Sequence, residues 1–282
     1  MRYTTLIDVP AARQRVGDPG WLFVDCRFDI RDPARGPRDY ALSHIPGAVY
    51  ADLDHDLSGP VVPGRTGRHP LPDRESIIRV FSSMGIDART QVIAYDESAG
   101  AMAAARMWWL LKWAGHDAAA VLDGGLSAWT AAGLPCSPEA VRRRQSAFVP
   151  DFKPHLAVDA DEVVAVLNDP GWIVLDARAA DRYRGENETI DPVAGHIRGA
   201  VSAPYVSAVG PGGHFKPLPD IERFWDSAMG GRDAEHTILY CGSGVTAAHG
   251  ILSCAYAGKG MPRLYAGSWS DWITDSRRPS AR

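Results

Sequence analysis

Short apolar runs recur along this chain, each bounded by polar or turn-forming residues and separated by stretches with helical spacing. Trp21-Leu22-Phe23-Val24, Gln91-Val92-Ile93-Ala94-Tyr95, Trp172-Ile173-Val174-Leu175 and Thr237-Ile238-Leu239-Tyr240 are four of them. Hydrophobicity that is continuous rather than alternating predicts strands buried on both faces, the condition of a parallel sheet covered by helices. Helices are predicted from Ser76 to Met84, Ala101 to Ala114, Ala160 to Leu167 and Val245 to Tyr256. The fold class that follows is α/β.

The pattern is written twice. Val24-Asp25-Cys26-Arg27 leads to His44-Ile45-Pro46-Gly47-Ala48 in the first half, and Leu175-Asp176-Ala177-Arg178 leads to His196-Ile197-Arg198-Gly199-Ala200 in the second. Each half closes on glycine and tryptophan, in Asp123-Gly124-Gly125-Leu126-Ser127-Ala128-Trp129 and in Tyr265-Ala266-Gly267-Ser268-Trp269. Two tandem domains are therefore expected, over residues 1–136 and 157–282. Prolines 135, 138, 150 and 154 around Arg142-Arg143-Arg144 read as an exposed linker over 137–156. The last residues, Ser276 to Arg282, read as a frayed tail. Asp25, Arg27, His44, Asp176, Arg178 and His196 occur in both halves and are expected to be structural ion pairs and turn contacts.

Composition narrows the function by exclusion. The 282 residues carry a formal charge of −4, which implies no polybasic surface for nucleic acid. No apolar run approaches the ~20 residues of a membrane span, and the N-terminus lacks an export signal, so the expected compartment is the cytoplasm. The four cysteines, Cys26, Cys136, Cys241 and Cys254, have no metal-type or disulfide-framework spacing. The nine histidines form no paired metal motif, so no metal and no cofactor is expected.

Candidate chemistry concentrates at Cys241-Gly242-Ser243-Gly244-Val245-Thr246-Ala247, between a predicted strand and a predicted helix. A loop of small residues lets successive backbone N–H groups curl around the sulfur, and the helix start adds to the same field. Such a site suits a nucleophilic cysteine that forms a covalent intermediate. A cysteine phosphatase would need an arginine six residues on to clamp phosphoryl oxygens, and Ala247 stands there. In the other half Asp96 falls opposite Cys241. An aspartate has no thiol to serve as that nucleophile, so the first domain is expected to be catalytically inert while supplying side chains to a cleft.

The Cys-Gly-Ser-Gly-Val-Thr-Ala loop resembles that of the two-domain rhodanese-like sulfurtransferases, above all those acting on 3-mercaptopyruvate, and the likeness spans nearly the whole chain. It implies two tandem rhodanese-like domains, each a parallel sheet flanked by helices. The implied activity is transfer of sulfur from 3-mercaptopyruvate, through a Cys241 persulfide, to a thiol such as thioredoxin or a small thiol, or to cyanide. It further implies a polar relay of Ser243, His69 and Asp54, a substrate-binding Arg182, and donor contacts from Gly242, Gly244, Val245 and Thr246. Two departures stand out. Asp191 lies where a second substrate arginine would fall, and Ala266 replaces a family aspartate. Thiosulfate as donor is the alternative, and a noncatalytic binding module using the same surface is a further one.

Overall fold

The computed structural model describes residues 2–282. They form two units, one of residues up to Gly59 with Pro72–Lys153 and Pro211–Phe215, the other of Pro60–Leu71, Pro154–Gly210 and Lys216–Arg282. The first carries strands β1 (Leu6–Ile7), β2 (Trp21–Asp25), β3 (Val49–Tyr50), β4 (Gln91–Tyr95) and β5 (Ala119–Leu122). Its helices are α1 (Val9–Arg13), α2 (Arg35–Leu42), α3 (Arg74–Ser83), α4 (Ala103–Trp113) and α5 (Gly125–Ala131). The second carries β6 (Ala157–Val158), β7 (Ile173–Asp176), β8 (His196–Ile197), β9 (Val201–Ser202), β10 (Thr237–Tyr240), β11 (Arg263–Tyr265) and β12 (Ser280–Ala281). Its helices are α6 (Ala160–Val166), α7 (Ala180–Tyr183), α8 (Leu218–Met229), α9 (Thr246–Tyr256) and α10 (Ser268–Trp272).

Both main sheets are parallel and share one topology, β1-β5-β4-β2-β3 in the first unit and β6-β11-β10-β7-β9 in the second. The apolar runs of the sequence become the middle strands: every residue of β4 and of β10 is buried. Phe23, Ile93 and Trp129 pack in one core, and Val174, Ile238, Tyr240 and Trp269 in the other. The four predicted helices appear as α3, α4, α6 and α9. Asp73 caps α3 by accepting the Ser76 N–H at 2.7 Å, and Asp159 with Glu162 closes a capping box on α6. Among the described residues no helix is long and apolar enough to cross a membrane.

The repeated polar residues are structural, as expected. Arg27 grips both oxygens of Asp25 and donates to the Ser43 carbonyl, while Arg178 grips Asp176 and donates to the Gly195 carbonyl. His44 stacks on Tyr40, and His196 stacks on Tyr183, each with Nδ1 bonded to the carbonyl of the tyrosine on which it stacks. These anchors tie the residues after β2 and β7 to the following turn. They shape the sheet ends where the site lies.

Three expectations are corrected. The C-terminal tail is not frayed: β12 pairs antiparallel with β8, Ser280 opposite Ile197 and Ala281 opposite His196. Two residues are too few to leave a periodic signal, so composition alone suggested a tail. The arginine run is not wholly solvated, because Arg143 donates to the carbonyls of Trp21 at 2.7 Å and Pro19 at 2.8 Å. The stretch around it is likewise not all exposed: Ser137 pairs with His44, and Phe148 is buried edge-on against Phe81.

Candidate active site

Cys241 follows β10 directly, at the carboxyl end of the middle strand, where ligand sites of open α/β sheets form. The thiol is 1% exposed. Its position is fixed from the first residues of α10. Ser268 Oγ accepts the Cys241 N–H at 3.0 Å, while the Cys241 carbonyl accepts from Trp269 at 3.0 Å and the Gly242 carbonyl accepts from Ser270 at 2.9 Å. Ser268 holds a left-handed φ of 57°, a conformation costly for a serine. Its hydroxyl also donates to the Tyr265 carbonyl at 2.9 Å, which helps hold it there.

The loop then curls around the sulfur. Gly244 donates its N–H to Cys241 Sγ at 3.1 Å. Glycine is required at 244 on two grounds: φ is +76°, and a Cβ would stand 2.5 Å from the Ala266 carbonyl oxygen. Val245 is buried behind the loop, and Thr246 opens the eleven-residue α9. A backbone donor on the sulfur and a helix start behind it form an electrostatic site set before any ligand arrives.

Ser243 lies 6% exposed, and a hydrogen bond of 2.8 Å joins its Oγ to Nδ1 of His69, itself 5% exposed. This contact spans 174 positions of sequence. His69 belongs to Pro60–Leu71, the segment that lies within the second unit. The Arg68 backbone N–H, one residue earlier, donates to Ser270 Oγ at 3.1 Å. Asp54 belongs to the first unit, where its N–H donates to Asp52 Oδ1 at 2.8 Å. Burial and the neighbouring Asp52 push its carboxyl up.

Arg182, on α7, is bound to two acids. It donates through Nε and Nη2 to Glu188 and through Nη2 to Asp191 at 3.0 Å. Burial raises the Glu188 carboxyl, but the N–H groups of Asp191 and Ile190 and the Arg182 guanidinium outweigh it and hold the group below its ordinary range. Asp191 sits above its ordinary range, since its burial outweighs the arginines that face it. Its other oxygen pairs with Arg68, a residue sequence reasoning passed over although it adjoins His69. Cys254 lies apart from this group, buried beside Met229 Sδ at 3.9 Å, with its thiol pushed up to about 12 by burial. That environment suits core packing and not redox exchange.

The first unit shows the same loop with the sulfur replaced. Asp96 follows β4, and its carboxylate accepts N–H groups from Ser98 at 2.7 Å, Gly100 at 2.9 Å, Met102 at 3.1 Å and Ala104 at 3.3 Å. The side chain is itself the anion in the cradle. A cavity over it is lined by Arg27 and Arg35, but both are already paired with carboxylates.

Two parallel α/β units share one strand order, and the second carries a buried cysteine whose sulfur accepts a backbone N–H of its own loop. The chain belongs to the rhodanese-like domain family, which matches residues 8–132 and 159–275. It is 45% identical over 282 residues to a Pseudomonas aeruginosa protein named as a probable 3-mercaptopyruvate sulfurtransferase, covering 100% of this chain and 99% of that one. A Mycobacterium tuberculosis protein described as a candidate thiosulfate sulfurtransferase is 34% identical, over 95% of this chain and 93% of its own length. Among solved structures, 3-mercaptopyruvate sulfurtransferase from Leishmania major superposes with a TM-score of 0.85 at 31% identity, covering 97% of this chain and 75% of that one.

Proposed function

We propose that this chain is a sulfurtransferase that takes sulfur from 3-mercaptopyruvate and passes it to a thiol or to cyanide through a persulfide on Cys241. The observation that carries the reading is the bond between His69 and Ser243 on the loop that holds Cys241. It supplies a proton-handling pair beside the sulfur, which a 2-oxo acid donor needs and thiosulfate does not.

In the first half-reaction the Cys241 thiolate attacks the donor sulfur. The S–S bond forms, the C–S bond breaks, and its electron pair moves to carbon as the enolate of pyruvate. Protonation of that carbon, with Ser243 and His69 polarising the ketone, releases pyruvate. The Gly244 N–H and the start of α9 stabilise the anionic sulfur that remains. In the second half-reaction an acceptor attacks the outer sulfur and Cys241 leaves as thiolate. Cyanide becomes thiocyanate; a dithiol such as thioredoxin becomes a disulfide with release of hydrogen sulfide. Asp54 completes the relay in this proposal, the first domain carries no sulfur of its own, and the reaction takes place in the cytoplasm.

Steady-state rates with mercaptopyruvate and with thiosulfate, measured side by side, test the donor. A higher kcat/KM for thiosulfate would move the assignment to the alternative. Incubation with donor but no acceptor should add the mass of one sulfur atom, removable by cyanide and absent in Cys241→Ser. An active Cys241→Ser enzyme would sink the mechanism.

A further inference from the structure

The segment that carries His69 and the loop that carries Ser243 meet on a common support, the start of α10. Ser270, buried there, bonds to both. Its backbone N–H donates to the Gly242 carbonyl at 2.9 Å, inside the cysteine loop. Its Oγ accepts the Arg68 N–H at 3.1 Å, one residue before His69, and donates back to the Gly267 carbonyl at 3.4 Å. One side chain thus references the histidine segment to the loop on which the histidine acts.

The seat is tight on the other side of the same bond. A Cβ at Gly67 would stand 2.5 Å from the Gly267 carbonyl oxygen and 2.7 Å from Ser270 Oγ, so backbone rests directly on backbone and glycine is needed for the approach. The N–H groups of Arg65 and Thr66 both donate to the Val62 carbonyl, within the segment itself, and brace its turn without anchoring it to α10. The Arg68 amide is the backbone donor that fixes the register. That register matters because a proton-handling pair works only within about 2.6–3.2 Å, and His69 Nδ1 lies 2.8 Å from Ser243 Oγ. A shift of about an ångström would take the pair out of reach.

We propose that Ser270 is a positioning residue for sulfur transfer: by holding the Arg68 amide against the start of α10, it sets His69 in register with Ser243. The proposal deepens the reading of the function given above and rests on it for the work that His69 does. Ser270 touches neither donor nor sulfur and acts through His69 alone.

The test is a mutant cycle on the full-length protein with mercaptopyruvate as donor. Ser270→Ala should lower kcat about three- to tenfold, the span expected for one neutral hydrogen bond, and Ser270→Thr, which keeps an oxygen in place, should recover most of the loss. Gly67→Ala, which pushes the same seat apart from the opposite side, should lower kcat at least as far. In a His69→Gln background the Ser270→Ala loss should vanish, because a residue that acts through His69 then has nothing to act on. Hydrogen exchange of peptides covering residues 60–71, which needs no turnover, should quicken in Ser270→Ala and return toward wild type in Ser270→Thr. Unchanged exchange in Ser270→Ala would overturn the role of Ser270, as would an unchanged kcat or a loss that adds in full to that of an impaired His69→Gln. A His69→Gln enzyme with the kcat of wild type would overturn the proton-handling reading alone, and the exchange rates would then decide whether Ser270 seats the segment.

Discussion

Asp96 stands opposite Cys241 in the repeat, and removing it should cost the first unit a large part of its stability. Its carboxylate receives four backbone N–H groups. Two of these donors, from Gly100 and Ala104, are buried, while those of Ser98 and Met102 lie near enough to solvent to find water. An orphaned buried donor costs about 1–3 kcal/mol and an exchanged bond well under one. Asp96→Ala should therefore destabilise by about 3–5 kcal/mol, far above the ordinary surface substitution. Asp96→Asn, which keeps one acceptor oxygen, should lose about half as much. Because a chain of two units need not unfold in one step, hydrogen exchange of peptides from β4 and α4, set against β10 and α9, is the assay that localises the loss. A vacated anion cradle should accept an anion, so formate should raise the melting temperature of Asp96→Gly more than that of wild type, by the mass action of a ligand that binds only the folded form. A loss below about 1 kcal/mol in Asp96→Ala, or identical formate responses, would refute the account of Asp96 as a built-in anion. Any folded fraction of Asp96→Ala should still transfer sulfur.

Other outcomes follow from single contacts. Gly244→Ala, forced against the Ala266 carbonyl at a φ of +76°, should abolish most sulfur transfer and shift the loop, checked by activity and by thiol labelling of Cys241. Asp191→Arg, attractive on a linear comparison, should instead lower stability, since it removes the shared acceptor of Arg68 and Arg182 and adds a third cation; denaturant titration reads the loss. Burial lowers the Lys112 ammonium from 10.5 to about 8, so the unfolded chain holds its proton over a range where the folded one has released it. Stability relative to Lys112→Met should accordingly rise as pH goes from 8 to 10.5, measured by thermal melts of both proteins; a difference that falls over that window would contradict the burial argument.

What the sequence made legible, and what it hid, divides by the range of the interaction. The middle strands β4 and β10 announced themselves because burial on both faces leaves an unbroken apolar run. The loop at Cys241 was readable because a curled backbone demands glycine, and Gly244 meets that demand by both angle and clearance. The twinned Asp–Arg pairs were visible through repetition. By contrast, the pairing of Arg68 with Asp191 joins residues 123 positions apart and has no local signature. The strand pairing of Ser280 and Ala281 depends on where β8 ends, and the strained Ser268 depends on the strand and loop it braces. The Ala266 departure touches the loop through backbone atoms, and nothing in the structure explains the loss of an acid there.

The segment Pro60–Leu71 carries one more consequence. It leaves the first unit after Gly59, takes its place in the second, and hands the chain back at Pro72. A gene cut at the apparent midpoint would thus deliver a second half lacking His69 and Arg68, however well its sheet formed. Recombination between relatives could exchange the whole doublet, but a crossover near residue 154 would combine a cysteine loop from one parent with a histidine from the other. The two units look like interchangeable modules, but the second is incomplete without Pro60–Leu71.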